Sequence, residues 1–104
     1  MKAAIIPARG GSKRLPRKNI LLLDGKPLLQ HVIDQLHASQ LFDCIIVSTE
    51  DEEIALVARS ANAEVLIRDN QFATDRATVA QVCLDVLAHW PEIENFCCIY
   101  PTAD

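Results

Sequence analysis

No run in these 104 residues approaches the ~18 consecutive apolar residues of a membrane span. The opening apolar stretch, Ala3 to Ala8, is too short for the h-region of a signal peptide and runs straight into charge. The expected location is therefore the cytoplasm. Net positive charge is also lacking: 10 Lys and Arg face 14 Asp and Glu. A pI near 5.2 argues against general nucleic-acid or membrane-surface binding. With three glycines, the chain has neither the Gly-x-Gly-x-x-Gly of a dinucleotide turn nor the Gly-x-x-x-x-Gly-Lys-Ser/Thr of a P-loop. Cys44, Cys83, Cys97 and Cys98 show no Cys-x-x-Cys pairing and read as small buried hydrophobes. His31, His37 and His89 lack convergent metal-ligand spacing and read as surface or helix-end residues, so no metal site is assigned. Trp90, the single tryptophan, is expected to pack beneath a helix rather than serve as a stacking platform.

What the chain does have is one concentrated reversal of sign. Residues 9 to 19, Arg-Gly-Gly-Ser-Lys-Arg-Leu-Pro-Arg-Lys-Asn, hold five cations (Arg9, Lys13, Arg14, Arg17, Lys18) and no acid. Every acid in the chain lies elsewhere, among only five other cations. A basic loop against an acidic background focuses a negatively charged ligand onto one spot. Gly10 and Gly11 free the backbone to turn tightly and offer N–H groups to phosphate oxygens, and the Lys and Arg side chains supply charge for a pyrophosphate leaving group. A merely solvated basic loop is the competing explanation, and under it the glycines and the position after an apolar run would be coincidence.

Short apolar runs alternate with helical patterns along the rest. Ala3 to Pro7 reads as a first strand, and Leu28, Leu29, Val32, Ile33 and Leu36 line one face of a helix beginning just after Pro27. Cys44 to Ser48 reads as a second strand. Thr49-Glu50-Asp51-Glu52 then reads as a capping box opening a second helix through about Ser60, with Asn62 as a left-handed stop. Glu64 to Ile67 makes a third strand, and Val79, Val82, Cys83, Val86 and Leu87 line a third helix ending near Pro91. Phe96 to Tyr100 makes a fourth strand. Strands that are continuously apolar, each followed by a helix, predict an α/β fold with a mostly parallel sheet covered on both faces. In such sheets ligands sit outside the carboxyl ends of the strands, where the basic loop begins. No internal repeat or low-complexity tract interrupts the pattern. The acidic run Glu50 to Glu53 reads as the N-terminal charge of a helix rather than a metal site.

Ile5-Ile-Pro-Ala-Arg-Gly-Gly-Ser-Lys-Arg-Leu-Pro-Arg-Lys-Asn-Ile20 resembles the signature of the acylneuraminate cytidylyltransferases, which activate nonulosonic acids with CTP. Gly25-Lys-Pro-Leu28, Ile46-Val-Ser-Thr49 with its acidic continuation, Arg68 to Asp75, and Cys97-Cys-Ile-Tyr-Pro-Thr-Ala103 extend the likeness across the chain. The last of these most resembles the pseudaminic acid branch. The resemblance implies a Rossmann-like three-layer α/β/α nucleotidyltransferase fold of the GT-A-like kind, here truncated after the fourth strand. Residues 1–104 would be the N-terminal nucleotide-binding part of a single domain. It also implies that Arg9 and Lys18 act on the triphosphate, that Ala8, Gly10, Gly11, Ser12 and Lys13 belong to the same loop, and that Asn19 closes it near the nucleotide. Arg68 would help hold the cytidine part, with Asp75 beside it; an exposed ion pair is the ordinary structural alternative for these two. The implied partners are CTP and a nonulosonic sugar acid, with no nucleic acid or membrane, in a homo-oligomer. The implied cofactor is Mg²⁺, its ligands falling beyond residue 104.

Two departures from the family pattern stand out. Asp69 occupies a position where many relatives have proline, and Asp104 occurs where relatives continue with proline and an apolar residue. By this resemblance the sugar-acid site, the metal carboxylates and the dimerisation segment lie beyond the chain. The chain alone would then be inactive or nearly so, with an apolar sheet edge exposed at its fourth strand. Two alternatives accompany the nonulosonic reading. One is the related 3-deoxy-manno-octulosonate cytidylyltransferase, against which Lys13 and Asn19 weigh; the other is a non-catalytic, truncated nucleotide-binding module.

Overall fold

Continuous apolar runs become the parallel strands, as their pattern predicts. A computed structural model describes residues 1–10, 20–68 and 79–101. Gly11, Ser12, Lys13, Arg14, Arg17, Lys18, Asn19, Asp69 and Asp75, and the end of the Cys97 to Ala103 motif, lie outside the described residues. The elements are β1 (Lys2–Pro7), β2 (Leu22–Leu23), β3 (Lys26–Pro27), α1 (Leu28–Ser39), β4 (Cys44–Thr49), α2 (Glu52–Ser60), β5 (Glu64–Ile67), α3 (Val79–His89) and β6 (Asn95–Cys98). One sheet runs in the order β5-β4-β1-β6 with every pairing parallel.

Both faces of this sheet are covered because alternate strand residues point to opposite sides. Ala4, Ile6 and Ala8 of the first strand's line, with Ile45 and Val47 of β4, pack on Leu29 and Ile33 of α1 and on Ile54 and Ala58 of α2. Ala3, Ile5 and Ile46 face the other way onto Cys83 and Val86 of α3, with Leu66, Trp90, Ile93 and Cys98 packed alongside. The result is the expected three-layer α/β/α arrangement. Trp90 packs against this α3-side cluster, as expected, and its backbone N–H donates to the Val86 carbonyl at 3.0 Å.

Local chemistry sets the helix ends. Pro27 precedes α1, and Gln40 closes it in the left-handed region at φ 56°. His37 donates through Nε2 to the Ala61 carbonyl at 3.0 Å, tying the end of α1 to the end of α2. Asn62 has φ 66°, the left-handed stop the sequence suggests. The helix start differs from expectation. Thr49 remains in β4, paired with Ile67, so the capping box beginning at Thr49 does not form. Asp51 is the N-cap instead, its Oδ1 accepting the Glu53 N–H at 2.8 Å and the Ile54 N–H at 3.3 Å.

The β2–β3 hairpin is a further addition to the expected order. Asp24 and Gly25 both have positive φ, 52° and 78°, which is the geometry of a two-residue Asp-Gly hairpin turn. The hairpin is fastened to α1. His31 donates from Nε2 to the Leu23 carbonyl at 2.6 Å, and Lys26 pairs with Asp34 at 2.9 Å.

Among the described residues, β6 is an edge strand with β1 as its partner, and Phe96 is 43% exposed, so the expected apolar edge is present. Only Cys83 of the four cysteines is buried; Cys44 and Cys98 are half-buried and Cys97 is exposed, which corrects the reading of all four as buried: Cys98 faces α3, and strand alternation turns Cys97 outward. Burial pushes the Cys98 thiol up to about 12, with the neighbouring Cys83 adding to the rise.

Candidate functional site

The carboxyl ends of all four sheet strands lie on one side of the molecule, and the strand order reverses there. From β1 the chain moves outward to β4 and β5, then returns to β6 on the other flank of β1. The crevice created by such a reversal is where open α/β sheets bind ligands. The basic stretch leaves β1 at this end.

The register of the strands brings specific side chains together. Pro7 pairs with Ser48 and Thr49 with Ile67. The pairing is prolonged by the Ala8 N–H, which donates to the Ser48 carbonyl at 2.9 Å, and by the Arg68 N–H, which donates to the Thr49 carbonyl at 3.0 Å. Carried one step further, the same register sets Arg9, Glu50 and Arg68 in a single row across β1, β4 and β5. Strand alternation directs that row toward the α3 side of the sheet, the side where Ile5, Ile46 and Leu66 pack.

Electrostatics within this row are mutual. Arg68 is only 6% exposed, so it is not half of the exposed ion pair that its position after a strand suggested. Burial draws its guanidinium below the ordinary value. Glu50 opposes that shift, the like charge of Arg9 adds to it, and Asp85 of α3 opposes it again. Two cations and two carboxylates therefore share the carboxyl end of the sheet, with Glu50 in the middle strand between the two arginines.

Gly10 is the hinge between sheet and loop. Its N–H donates to the Glu50 carboxylate, with Oε1 as the nearer acceptor and Oε2 at 3.3 Å. The sequence reading offered this amide to a phosphate oxygen; in the structure it already has an anionic acceptor, because Glu50 emerges from the adjacent strand at the same level. Gly10 is also a glycine for a steric reason. A Cβ there would lie 2.8 Å from the Asp51 Cβ and 3.0 Å from its Cγ, and Asp51 is held in place as the cap of α2.

Of the site residues expected from sequence, Ala8, Arg9, Gly10 and Arg68 are brought to one end of the sheet. Gly11, Ser12, Lys13, Lys18, Asn19 and Asp75 lie outside the described residues. Glu50 was missed as an individual residue. Its signal was the one that singled out Arg9, a position just past a strand end, but it was absorbed into the helix-opening acidic run. The described histidines are occupied by main-chain carbonyls: His31 by Leu23, His37 by Ala61 and His89 by Asp85. Among the described residues, no group of three or more His, Cys, Asp or Glu could hold a metal ion.

Comparison with known proteins shows the family and the fold. The cytidylyltransferase family model matches residues 3–102. A pseudaminic acid cytidylyltransferase of Campylobacter jejuni is 42% identical over 104 residues, covering 95% of this chain and 45% of that protein. An N-acylneuraminate cytidylyltransferase of Escherichia coli is 39% identical over 100 residues, 96% of this chain and 24% of that protein. The structure of CMP-2-keto-3-deoxy-manno-octonic acid synthetase complexed with CTP superposes with a TM-score of 0.81 at 25% identity, covering 96% of this chain and 39% of that one. The chain thus spans less than half the length of each of these relatives.

Proposed function

Because the chain belongs to the cytidylyltransferase family, we propose that residues 1–104 form the N-terminal, CTP-binding part of a single cytidylyltransferase domain. The complete reaction would transfer CMP from CTP to a nonulosonic sugar acid and release pyrophosphate. The observation that carries this reading is the convergence of Arg9, Gly10 and Arg68 at the switch point of a parallel sheet, where the basic loop begins. In the proposed reaction the anomeric hydroxyl of the sugar acid attacks the α-phosphorus, a P–O bond forms, and the bond to pyrophosphate breaks. Arg9 and Lys18 neutralise charge on the triphosphate and on the departing pyrophosphate. Ala8, Gly10, Gly11, Ser12, Lys13 and Asn19 shape the loop around it, and Arg68 with Asp75 orients the cytidine.

Mg²⁺ belongs to the proposed reaction as a partner of the triphosphate. The described residues supply no cluster fit to hold it. A cytoplasmic, self-associating enzyme is part of the same reading; among the described residues no helix is long and apolar enough to cross a membrane. The 45% span of the Campylobacter relative favours a second reading in which these residues bind nucleotide without completing turnover by themselves.

A thermal melt with Mg²⁺ and CTP, with ATP, and without nucleotide tests the proposal. A ligand that binds only the folded state adds about 2.7 kcal/mol at a hundredfold excess over Kd. For a domain of this size that is a rise of roughly 10–20 °C. The expected result is a rise with CTP that ATP does not match and that Lys18→Ala loses. A cooperative transition that neither nucleotide moves, or that both move equally, would contradict the proposal.

A further inference from the structure

Glu50 has no part in the nucleotide contacts proposed above, yet its carboxylate accepts the N–H of Gly10 at the start of the loop. Gly10 is buried, and its N–H would be a costly orphan without an acceptor. The Glu50 carboxylate supplies that acceptor with both oxygens. On its other side Gly10 is pressed against Asp51, close enough that not even a methyl group fits. The backbone at Gly10 is thus held by a charge-assisted hydrogen bond from one neighbour and by steric contact with the next. Both neighbours belong to the rigid β4–α2 junction, which Asp51 caps and Thr49 joins to β5.

We propose that Glu50 is a positioning residue that clamps the Gly10 amide and so fixes the backbone just past the end of β1. This inference rests on the nucleotide reading for its consequence, though not for its geometry. Its consequence is pre-organisation: a loop whose base is fixed loses less freedom when phosphate binds. Glu50 also lies between Arg9 and Arg68, where its charge offsets their mutual repulsion. That second effect pulls against anion binding, because a carboxylate near the phosphates repels them. Reach and charge therefore make opposite predictions, and two conservative variants separate them.

Glu50→Asp keeps the charge but is one methylene too short to reach Gly10, whereas Glu50→Gln keeps the reach and an acceptor oxygen but loses the charge. Amide exchange at Gly10 and isothermal titration with Mg²⁺ and CTP are measured on the unsubstituted chain and both variants. The clamp predicts that Glu50→Asp speeds Gly10 exchange and weakens CTP binding by about tenfold or more, equivalent to about 1.4 kcal/mol. It predicts that Glu50→Gln keeps Gly10 exchange within about threefold of the unsubstituted chain and binds CTP no more weakly than that chain. If Glu50→Gln is the more impaired on either readout, or if neither variant changes Gly10 exchange, the clamp is wrong. Failure of the unsubstituted chain to bind CTP would remove the nucleotide reading, and Gly10 exchange in the two variants would still decide the clamp.

Discussion

Gly10→Ala is expected to destabilise the fold by about 2–4 kcal/mol, a large effect for the addition of one methyl group. The new Cβ would meet the Asp51 side chain at its base, 2.8 Å from Cβ, an atom that no side-chain rotation moves, so the backbone at one of the two residues must shift. Overpacking of this kind costs about 1–3 kcal/mol. Displacing Asp51 also breaks its bonds to the Glu53 and Ile54 amides, the cap of α2, which adds about 1 kcal/mol. The mechanism predicts its own remedy. Asp51→Gly removes the clashing atoms and, since glycine is tolerated at an N-cap, costs only a few tenths of a kcal/mol by itself. Urea titration of the two single variants and the double should therefore show the double variant more stable than Gly10→Ala, with a coupling of about 1 kcal/mol or more. Strictly additive losses would mean that the Gly10 penalty arises elsewhere.

Arg68→Ala is expected to cost about 2–3 kcal/mol and to abolish the proposed CTP response. Arg68 is buried and the charges of Glu50 and Asp85 favour its charged form, so truncating it removes a compensating charge from two half-buried carboxylates, which costs less than the about 3–5 kcal/mol of a fully buried pair. The loss includes packing of the buried aliphatic stem as well as charge. Arg68→Lys keeps a cation but not the planar fork, so it should recover part of the stability and little of the nucleotide response. Chemical denaturation checks the first expectation and a CTP melt the second. An Arg68→Ala chain as stable as its parent would show that the buried guanidinium is not what balances Glu50 and Asp85.

Much of the architecture was legible because it follows from unbroken apolar runs. Glu64 to Ile67 forms a strand with the expected bounds, α1 starts directly after Pro27, and Asn62 takes the left-handed conformation. Other features depended on tertiary context. The Asp24-Gly25 turn was written in the chain, but strands of two residues fall below any periodicity window, and what holds them is α1. Thr49 matches a capping box in sequence, yet pairing with Ile67 keeps it in the sheet and moves the cap to Asp51. The fourth strand runs from Asn95 to Cys98 rather than from Phe96 to Tyr100, following its pairing with β1.

The candidate site was half legible. Arg9 and Gly10 announce themselves by charge and composition next to a strand end. Nothing in the run Glu50 to Glu53 says which acid turns along the sheet and which face solvent at the helix start. Strand register decides that, by placing Glu50 level with Arg9 and Arg68. The burial of Arg68 is likewise a tertiary property, which no local pattern around residue 68 reveals.

The central claim is that nucleotide binds at the carboxyl end of the sheet. An amide-resolved NMR titration of the 104-residue chain with Mg²⁺ and CTP tests it most directly. The account predicts that Arg9, Gly10, Glu50 and Arg68 shift together on a single saturable curve. The opposite end of the sheet, where the Asp43 amide bonds the Lys2 carbonyl and the Glu94 amide bonds the Met1 carbonyl, should stay still. Shifts centred on Lys2, Asp43 and Glu94, or no shifts at any amide of a folded chain under saturating CTP, would contradict it.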